Sequence, residues 1–459
     1  MNGSKFNHIF SRWFPLAVGG IFFLSLILRF WHLGQFNRLV FDEVYYAKYA
    51  NYYLIGKDFF NSHPPLSQYI IAIGIWLGSH FPASPDITNN LTGSFRSTLS
   101  YRWINAFVGS FLPLIVGAIA YQLTHRRSYT IIVAFLAAMD GLFLVESRYA
   151  LNNIYLVIFG LLGHLLFLLF LNRTNYLYLT ISGIFFGTAA AVKWNGLGFL
   201  FGIYLIIFLV YFKSILNKYF RSNKLIINNW GVFEIIKSLK ISLLAFNLLI
   251  IPLFIYSILW LPHLLMNPQY DWWEVQQKIW KFHHNIGADS SVHPYCSKWY
   301  TWLVMVRPVA YFYERTKTES GTIIHDVHAM ANPVLLWLST GAILVILLVF
   351  ILGKSKKICY KNNGLFIYIL INYLTNLLPW IKVSRCTFFY HYMPSYVFSW
   401  LALGWIIEQC LNSKLIFCRR LGIVIILSIF IAFIYWLPIY IGLPLSQQGF
   451  NMRMLSNWI

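Results

Sequence analysis

PPLSQYIIAIGIWLGS, residues 64–79, is apolar enough to be mistaken for a membrane span, and whether it crosses decides which side every later loop faces. It is short for that task, because about 20 helical residues are needed to cross ~30 Å of hydrocarbon. Pro64 and Pro65 suit the first turn of a helix, where a backbone N–H has no partner to lose. If the segment crossed, KSKK (354–357) and Arg419–Arg420 would face outward, against the retention of lysines and arginines in cytoplasmic loops. It therefore reads as an interfacial or re-entrant helix along the outer leaflet.

The rest of the chain agrees with that setting. Its 459 residues are 59% hydrophobic and 11% charged, where a soluble domain is nearer a quarter charged. Apolar runs near 13–33, 99–123, 129–146, 151–171, 176–193, 195–212, 241–262, 332–352, 364–381, 387–409 and 421–442 give eleven expected spans, which puts the termini on opposite sides. With the N-terminus inside, the cytoplasmic segments hold eighteen of the 35 bases. These are Lys5 and Arg12; Arg126 and Arg127; Arg173; Lys213, Lys218, Arg221, Lys224, Lys237 and Lys240; Lys354, Lys356, Lys357 and Lys361; Lys414, Arg419 and Arg420. The same segments hold one acid, Glu234, with Glu408 near a span end. A formal charge of +21 would otherwise suggest nucleic acid; basic clusters set between apolar runs mark membrane loops instead.

The expected architecture is an all-α polytopic membrane protein, a single integral-membrane domain over 1–459. Its N-terminus is cytoplasmic and opens a retained first span, its C-terminus is exoplasmic, and its two large outer loops cover about 34–98 and 263–331. The five cysteines (Cys296, Cys359, Cys386, Cys410, Cys418) form no CxxC pair, so neither a zinc site nor a disulfide framework is indicated.

The chemistry-bearing residues gather at the outer face. VFDEVYYAKYA, 40–50, sets Asp42 and Glu43 ahead of Tyr45, Tyr46, Tyr49 and Tyr53. Acids favoured in a helix's first turn and tyrosines at an interface explain this blandly; a general base near cations explains it more sharply. Arg29 and Arg102, at outer span ends, either snorkel or face a polar cavity, a carboxylate or a phosphate. MDGLFLVESRYALNN, 139–153, adds Asp140, Glu146 and Arg148, which an internal ion pair would accommodate, and KWNG, 193–196, reads as a turn anchored by Lys193 and Trp194. His63, Arg148, His293, Trp299, Arg307 and His391 are candidates for a sugar or peptide groove. His325 and His328 have metal-like spacing, but no third and fourth ligand is identifiable. LLPWIKVSRCTFFYHYMP, 377–394, brings Lys382 and Arg385 to a span end, where a guanidinium grips phosphate oxygens bidentately.

Arg29, FDEVYYAKYA, HPPLSQYIIAIG, YRWINAFVGSFLPL, DGLFLVESRYALNNIYL, VKWNG, HPYCSKWYTWLVMVRP and SRCTFFYHYMP occur in the order found in protein O-mannosyltransferases. The chain resembles the bacterial branch of that family from roughly residue 15 to 440. The resemblance implies a GT-C glycosyltransferase fold, a polyprenyl-phosphate-mannose donor, and inverting transfer to Ser or Thr hydroxyls of exported proteins. It puts the family's Asp–Glu pair on Asp42 and Glu43 and its essential arginines on Arg29 and Arg102. The MIR domain that eukaryotic members carry in the second large loop is absent from this one.

The residues suit that reaction. A carboxylate can take the proton of a hydroxyl as the new bond forms, and a lipid-phosphate leaving group needs cations rather than a proton donor. Asp42 is then the expected base, Glu43 its supporter, and Arg29, Arg102, Lys382 and Arg385 the donor-phosphate ligands. No metal or other cofactor is required, and the setting is a bacterial inner membrane with the site facing the periplasm. Two alternatives stand beside this reading: a related GT-C enzyme moving another sugar, such as aminoarabinose, to lipid A, and a lipid-linked sugar transporter. The transporter would place ionisable residues near the membrane midplane and repeat its halves, and no such repeat is visible.

Overall fold

A computed structural model describes residues 3–219, 230–287, 293–319, 321–352 and 357–459. The expected basic residues Arg221, Lys224, Lys354 and Lys356 lie outside the described residues. Each long apolar run closes its backbone hydrogen bonds within itself as a helix, which hydrocarbon demands. The first is α1 (Gly3–Phe30), followed in the first large loop by α2 (Glu43–Ile55), α3 (Leu66–Gly78) and the hairpin β1 (Thr88–Leu91) and β2 (Ser94–Ser97).

Helix α3 occupies the ambiguous stretch and has 13 residues, about 20 Å of helix. Its glycines let it lie directly on α4 (Thr98–Ser110): a Cβ on Gly74 would stand 2.7 Å from Ile104, and one on Gly78 2.8 Å from Ser100. Trp103 Nε1 donates to Gly74 O across the same contact at 2.9 Å.

α5 (Leu112–Thr124) continues α4 after Phe111. α6 (Arg127–Ala138) and α7 (Gly141–Arg148) form a pair bent by 59°. The buried Asp140 fixes this break by accepting from Phe143 N (3.0 Å), Tyr396 Oη (3.0 Å) and Asn332 N (3.3 Å). Next come α8 (Asn153–Arg173), α9 (Tyr176–Val192) and α10 (Leu197–Tyr219). α11 (Ile241–Ala245) runs through a π-helical turn into α12 (Ile251–Ile258), and the short α13 (Leu261–Met266) follows. The second large loop then holds α14 (Trp272–His284) and a long hairpin, β3 (Val309–Thr318) and β4 (Gly321–Ala329). α15 (Pro333–Leu352), α16 (Lys357–Leu377), α17 (Met393–Leu411) and α18 (Ile416–Ile441) complete the bundle. The chain ends with β5 (Leu445–Ser446), paired to β4, and α19 (Gln447–Asn451).

Helices dominate as expected. On length and composition, eight helical stretches among the described residues can cross a membrane, nine with the bent pair α6–α7. The expected eleven would add the 17-residue α9 and α17, which is buried from Met393 to Trp405. The protein is an integral membrane protein.

One expectation is corrected. Cys296 and Cys386 form a disulfide joining the second large loop to the segment before α17. Spacing rules recognise cysteines close in sequence, and these are 90 residues apart.

Candidate active site

Asp42 and Glu43 are neighbours with opposite surroundings. Phe41 takes φ +50°, in the left-handed region, and α2 begins two residues later. Such a conformation in a bulky residue persists only where the surroundings enforce it, commonly at a functional site. Here the Phe41 ring stacks on Tyr311 at 4.1 Å and meets Tyr390 edge-on at 6.0 Å.

Glu43 is fully buried and accepts four hydrogen bonds: from Arg102 Nε (2.9 Å), Arg102 Nη2 (2.8 Å), Val40 N (2.8 Å) and Ala150 N (2.9 Å). Arg102, equally buried, spends its remaining donors on the carbonyls of Leu33, Phe36 and Arg38. Every guanidinium N–H is then directed at protein oxygen. Arg102, expected as a phosphate ligand, clamps the first large loop around Glu43.

Asp42 only partly loses its surface, and its carboxylate has no hydrogen-bond partner among the described residues. Burial raises its pKa to about 6, and the charge of Lys193 pulls the other way. Lys193 Nζ donates to Asn153 Oδ1 at 3.3 Å and stands 5.6 Å over the Tyr390 ring. Asn153 in turn donates to Glu146 at 3.2 and 3.3 Å, and Tyr311 Oη donates to the same carboxylate. Arg385 lies in this field too, half-buried, with a single bond to Cys386 O at 3.2 Å and the rest of its guanidinium without a partner among the described residues. His63 and His283 are 4.9 Å apart and are kept neutral, first by burial and then by the Lys193 and Arg385 charges. His391 feels the same two cations and is packed on Trp380 at 4.6 Å. The result is a cluster of polar side chains around one carboxylate that is free of hydrogen bonds among the described residues and feels the charge of Lys193.

The other expected residues lie elsewhere. Arg29 is buried, donating to Ser25 Oγ (2.6 Å) and packed under Gly109. Arg148 caps the end of α1 through the carbonyls of Leu28 (2.9 Å) and Arg29 (3.2 Å). Both side chains, expected as a phosphate ligand and a groove residue, thus bond to α1. Arg307 donates to the backbone oxygens of Asn457 and Ile459 at 2.8 Å each. Lys382 is exposed, and Trp299 and His293 pack at the loop's edge, His293 against Phe388. His325 and His328 stand three apart on a strand and so point to opposite faces; His328 binds Asp326 at 2.7 Å and Trp458 O at 3.0 Å. Among the described residues no group of three His, Cys, Asp or Glu is placed to hold a metal.

Reading the sequence missed the roles of Lys193, Glu146, Asn153, Tyr311 and His283. The first three sit in KWNG and ESRYALNN, where polar residues at the ends of apolar runs carry the signal. Beside Lys193 and two residues from Arg385 opens an apolar groove of about 740 Å³, lined by Trp194, Phe201, Tyr204, Pro252, Tyr256, Trp380 and Val383 among others.

Residues 20–266 match the family model for dolichyl-phosphate-mannose-protein mannosyltransferase, and residues 268–458 match that for the C-terminal four TMM region of protein-O-mannosyltransferase. The polyprenol-phosphate-mannose–protein mannosyltransferase of Mycolicibacterium smegmatis is 23% identical over 95% of this chain and 91% of its own. The Saccharomyces cerevisiae Pmt1-Pmt2 complex bound to the sugar donor superposes with TM-score 0.78 at 15% identity, over 97% of this chain and 92% of that one. ArnT from Cupriavidus metallidurans gives 0.52 at 11%, over 96% and 75%. These likenesses show the GT-C fold.

Proposed function

Since the chain belongs to the protein O-mannosyltransferase family, and is thereby a glycosyltransferase, we propose that it moves a mannosyl residue from polyprenyl-phosphate-mannose to Ser or Thr hydroxyls of exported proteins. The single observation that carries the assignment of roles is the Asp42 carboxylate, without a hydrogen-bond partner among the described residues and set in the field of Lys193, which itself feels the charge of Arg385. Asp42 takes the acceptor proton while the oxygen attacks the anomeric carbon from the side opposite the phosphate, which inverts that centre. Lys193 and Arg385 receive the charge that grows on the departing phosphate, as fixed cations in a water-poor site do best. Arg29, Arg102 and Lys382 are not needed for that step; Glu43 acts through the backbone it holds. The apolar groove lined by Trp194 and Val383, close in sequence to the two cations, has the character required by an isoprenoid chain.

The reaction runs at the outer face of a bacterial inner membrane in this reading, and the Cys296–Cys386 bond suits an oxidising compartment. The test is transfer in vitro from polyprenyl-phosphate mannose to a Ser/Thr-rich peptide, read as a one-hexose mass gain. Asp42→Asn should lower kcat by about 10²–10⁴-fold with donor binding intact. Wild-type turnover in that variant removes Asp42 from the chemistry. A modified lipid A with no modified peptide would instead favour the aminoarabinose reading, which the likeness to ArnT keeps open.

A further inference from the structure

The hairpin of the second large loop has an open side. Strand β3 pairs with β4 along one edge only, and no backbone group from Val309 to Lys317 bonds to another described residue along the other. The proximal half, Val309 to Phe312, is largely buried, with Phe36 stacked on Phe312 at 4.0 Å, while Arg38 pairs with Glu314 at 2.7 Å and Phe450 meets Tyr313 at 5.9 Å nearer the surface. An open edge is a template for another strand, and a bulge or charges along it limit which strands can pair there.

This edge leads to the polar cluster. The β3–β4 register skips Tyr311, passing from Ala310 opposite His328 to Phe312 opposite Val327. That bulge turns Tyr311 inward, onto Glu146 and onto the ring of Phe41, the residue before Asp42. Bulges beside active sites characteristically re-aim one side chain. The distal half of β3 exposes Arg315 and Lys317, which are unpaired among the described residues.

We propose that the free edge of β3 is the acceptor dock: an extended segment of the exported protein adds to the sheet as an antiparallel strand, and Tyr311 delivers its Ser or Thr to Asp42. This deepens the mannosyl-transfer reading and rests on it. Backbone pairing accounts for affinity without a fixed sequence, and side chains at alternate positions set preference. Arg315 is four residues from Tyr311 along the strand, about 13 Å. In an antiparallel guest, carboxylates about four to six residues before the modified hydroxyl therefore lie beside Arg315 and Lys317.

The experiment uses the full chain in nanodiscs with saturating polyprenyl-phosphate mannose and single-Ser peptides. N-methylation is walked along the peptide backbone; each lost sheet bond should raise KM about fivefold to tenfold, at every second position only, with kcat little changed. Asp residues placed four to six positions before the Ser should lower KM, and Arg315→Glu with Lys317→Glu should reverse that preference, so that Lys rather than Asp at those positions lowers KM. Transfer with no alternation, or an acid preference that survives charge reversal, overturns the dock. So does a charge-reversed enzyme that changes its oligomeric state and not its peptide KM, since the edge would then belong to a second copy. Failure to modify any peptide, native sequence included, tells instead against mannosyl transfer to protein.

Discussion

Glu43→Gln separates structural from chemical roles in the acidic pair. The carboxylate accepts two N–H groups on each oxygen, Arg102 Nε and Ala150 N on one, Arg102 Nη2 and Val40 N on the other. A glutamine keeps the volume but replaces one acceptor by an NH2 group. Whichever way the amide is turned, two donors then face two donors. A buried donor stranded in this way costs about 1–3 kcal/mol, and the Arg102 guanidinium loses its buried counter-charge as well. Breaking such a pair from one side typically costs about 3–5 kcal/mol. The expected outcome is a clear fall in the thermal unfolding midpoint of the ligand-free protein in detergent, followed by tryptophan fluorescence, with activity lost roughly in step with the folded fraction. Arg102→Lys should behave alike, because a single ammonium cannot replace the planar fork. Unfolding at the wild-type temperature, with kcat alone reduced, would refute this account and return Glu43 to the reaction itself.

Three further outcomes follow from the polar cluster. With the Asp42 carboxyl pushed up to about 6 and active only when ionised, kcat/KM should fall about tenfold per pH unit below that value and level off above it; a profile flat down to pH 4 would exclude Asp42 as the base. Lys193→Met removes the charge that holds Asp42 down, so the midpoint should move upward, and donor binding should weaken by roughly 2 kcal/mol or more. An unshifted midpoint with unchanged donor affinity would place Lys193 outside the site. Reduction of Cys296–Cys386, or Cys296→Ala, frees the segment that carries Arg385, so the donor KM should rise while kcat for bound donor changes less; identical kinetics before and after reduction would show that the loop holds Arg385 without the cross-link.

The helices and the ambiguity at 64–79 were legible in sequence because hydropathy and length act locally: a 13-residue apolar helix flanked by Pro65 has few other places to go. Asp42, Glu43, Arg385 and His391 were legible as candidates because polar residues at span ends need a reason. The division of labour was not. Arg102 and Arg385 are identical side chains that both read as lying at span ends, and only the carbonyls of Leu33, Phe36 and Arg38, supplied by a loop more than sixty residues away, reveal that Arg102 is already committed. Lys193 looked like an interfacial anchor because its partners, Asn153 and Glu146, come from another pair of helices. The disulfide and the β3 bulge are likewise long-range facts.

Why the two acids differ follows from the first turn of α2. Successive residues of a helix point about 100° apart, so a pair at its start cannot share one environment. The left-handed Phe41 swings the helix start so that Glu43 enters the bundle and Asp42 does not. The buried member must be neutralised, and Arg102 does this completely. The other is left without donors beside cations that a phosphate would also seek. A base with its hydrogen bonds already satisfied would have to break them to receive a proton; Asp42 has none to break. The rigidity that Glu43 provides and the readiness of Asp42 are thus two consequences of one backbone angle, and a Phe41→Gly exchange, which relaxes that angle and removes the Tyr311 stack, should disorder both.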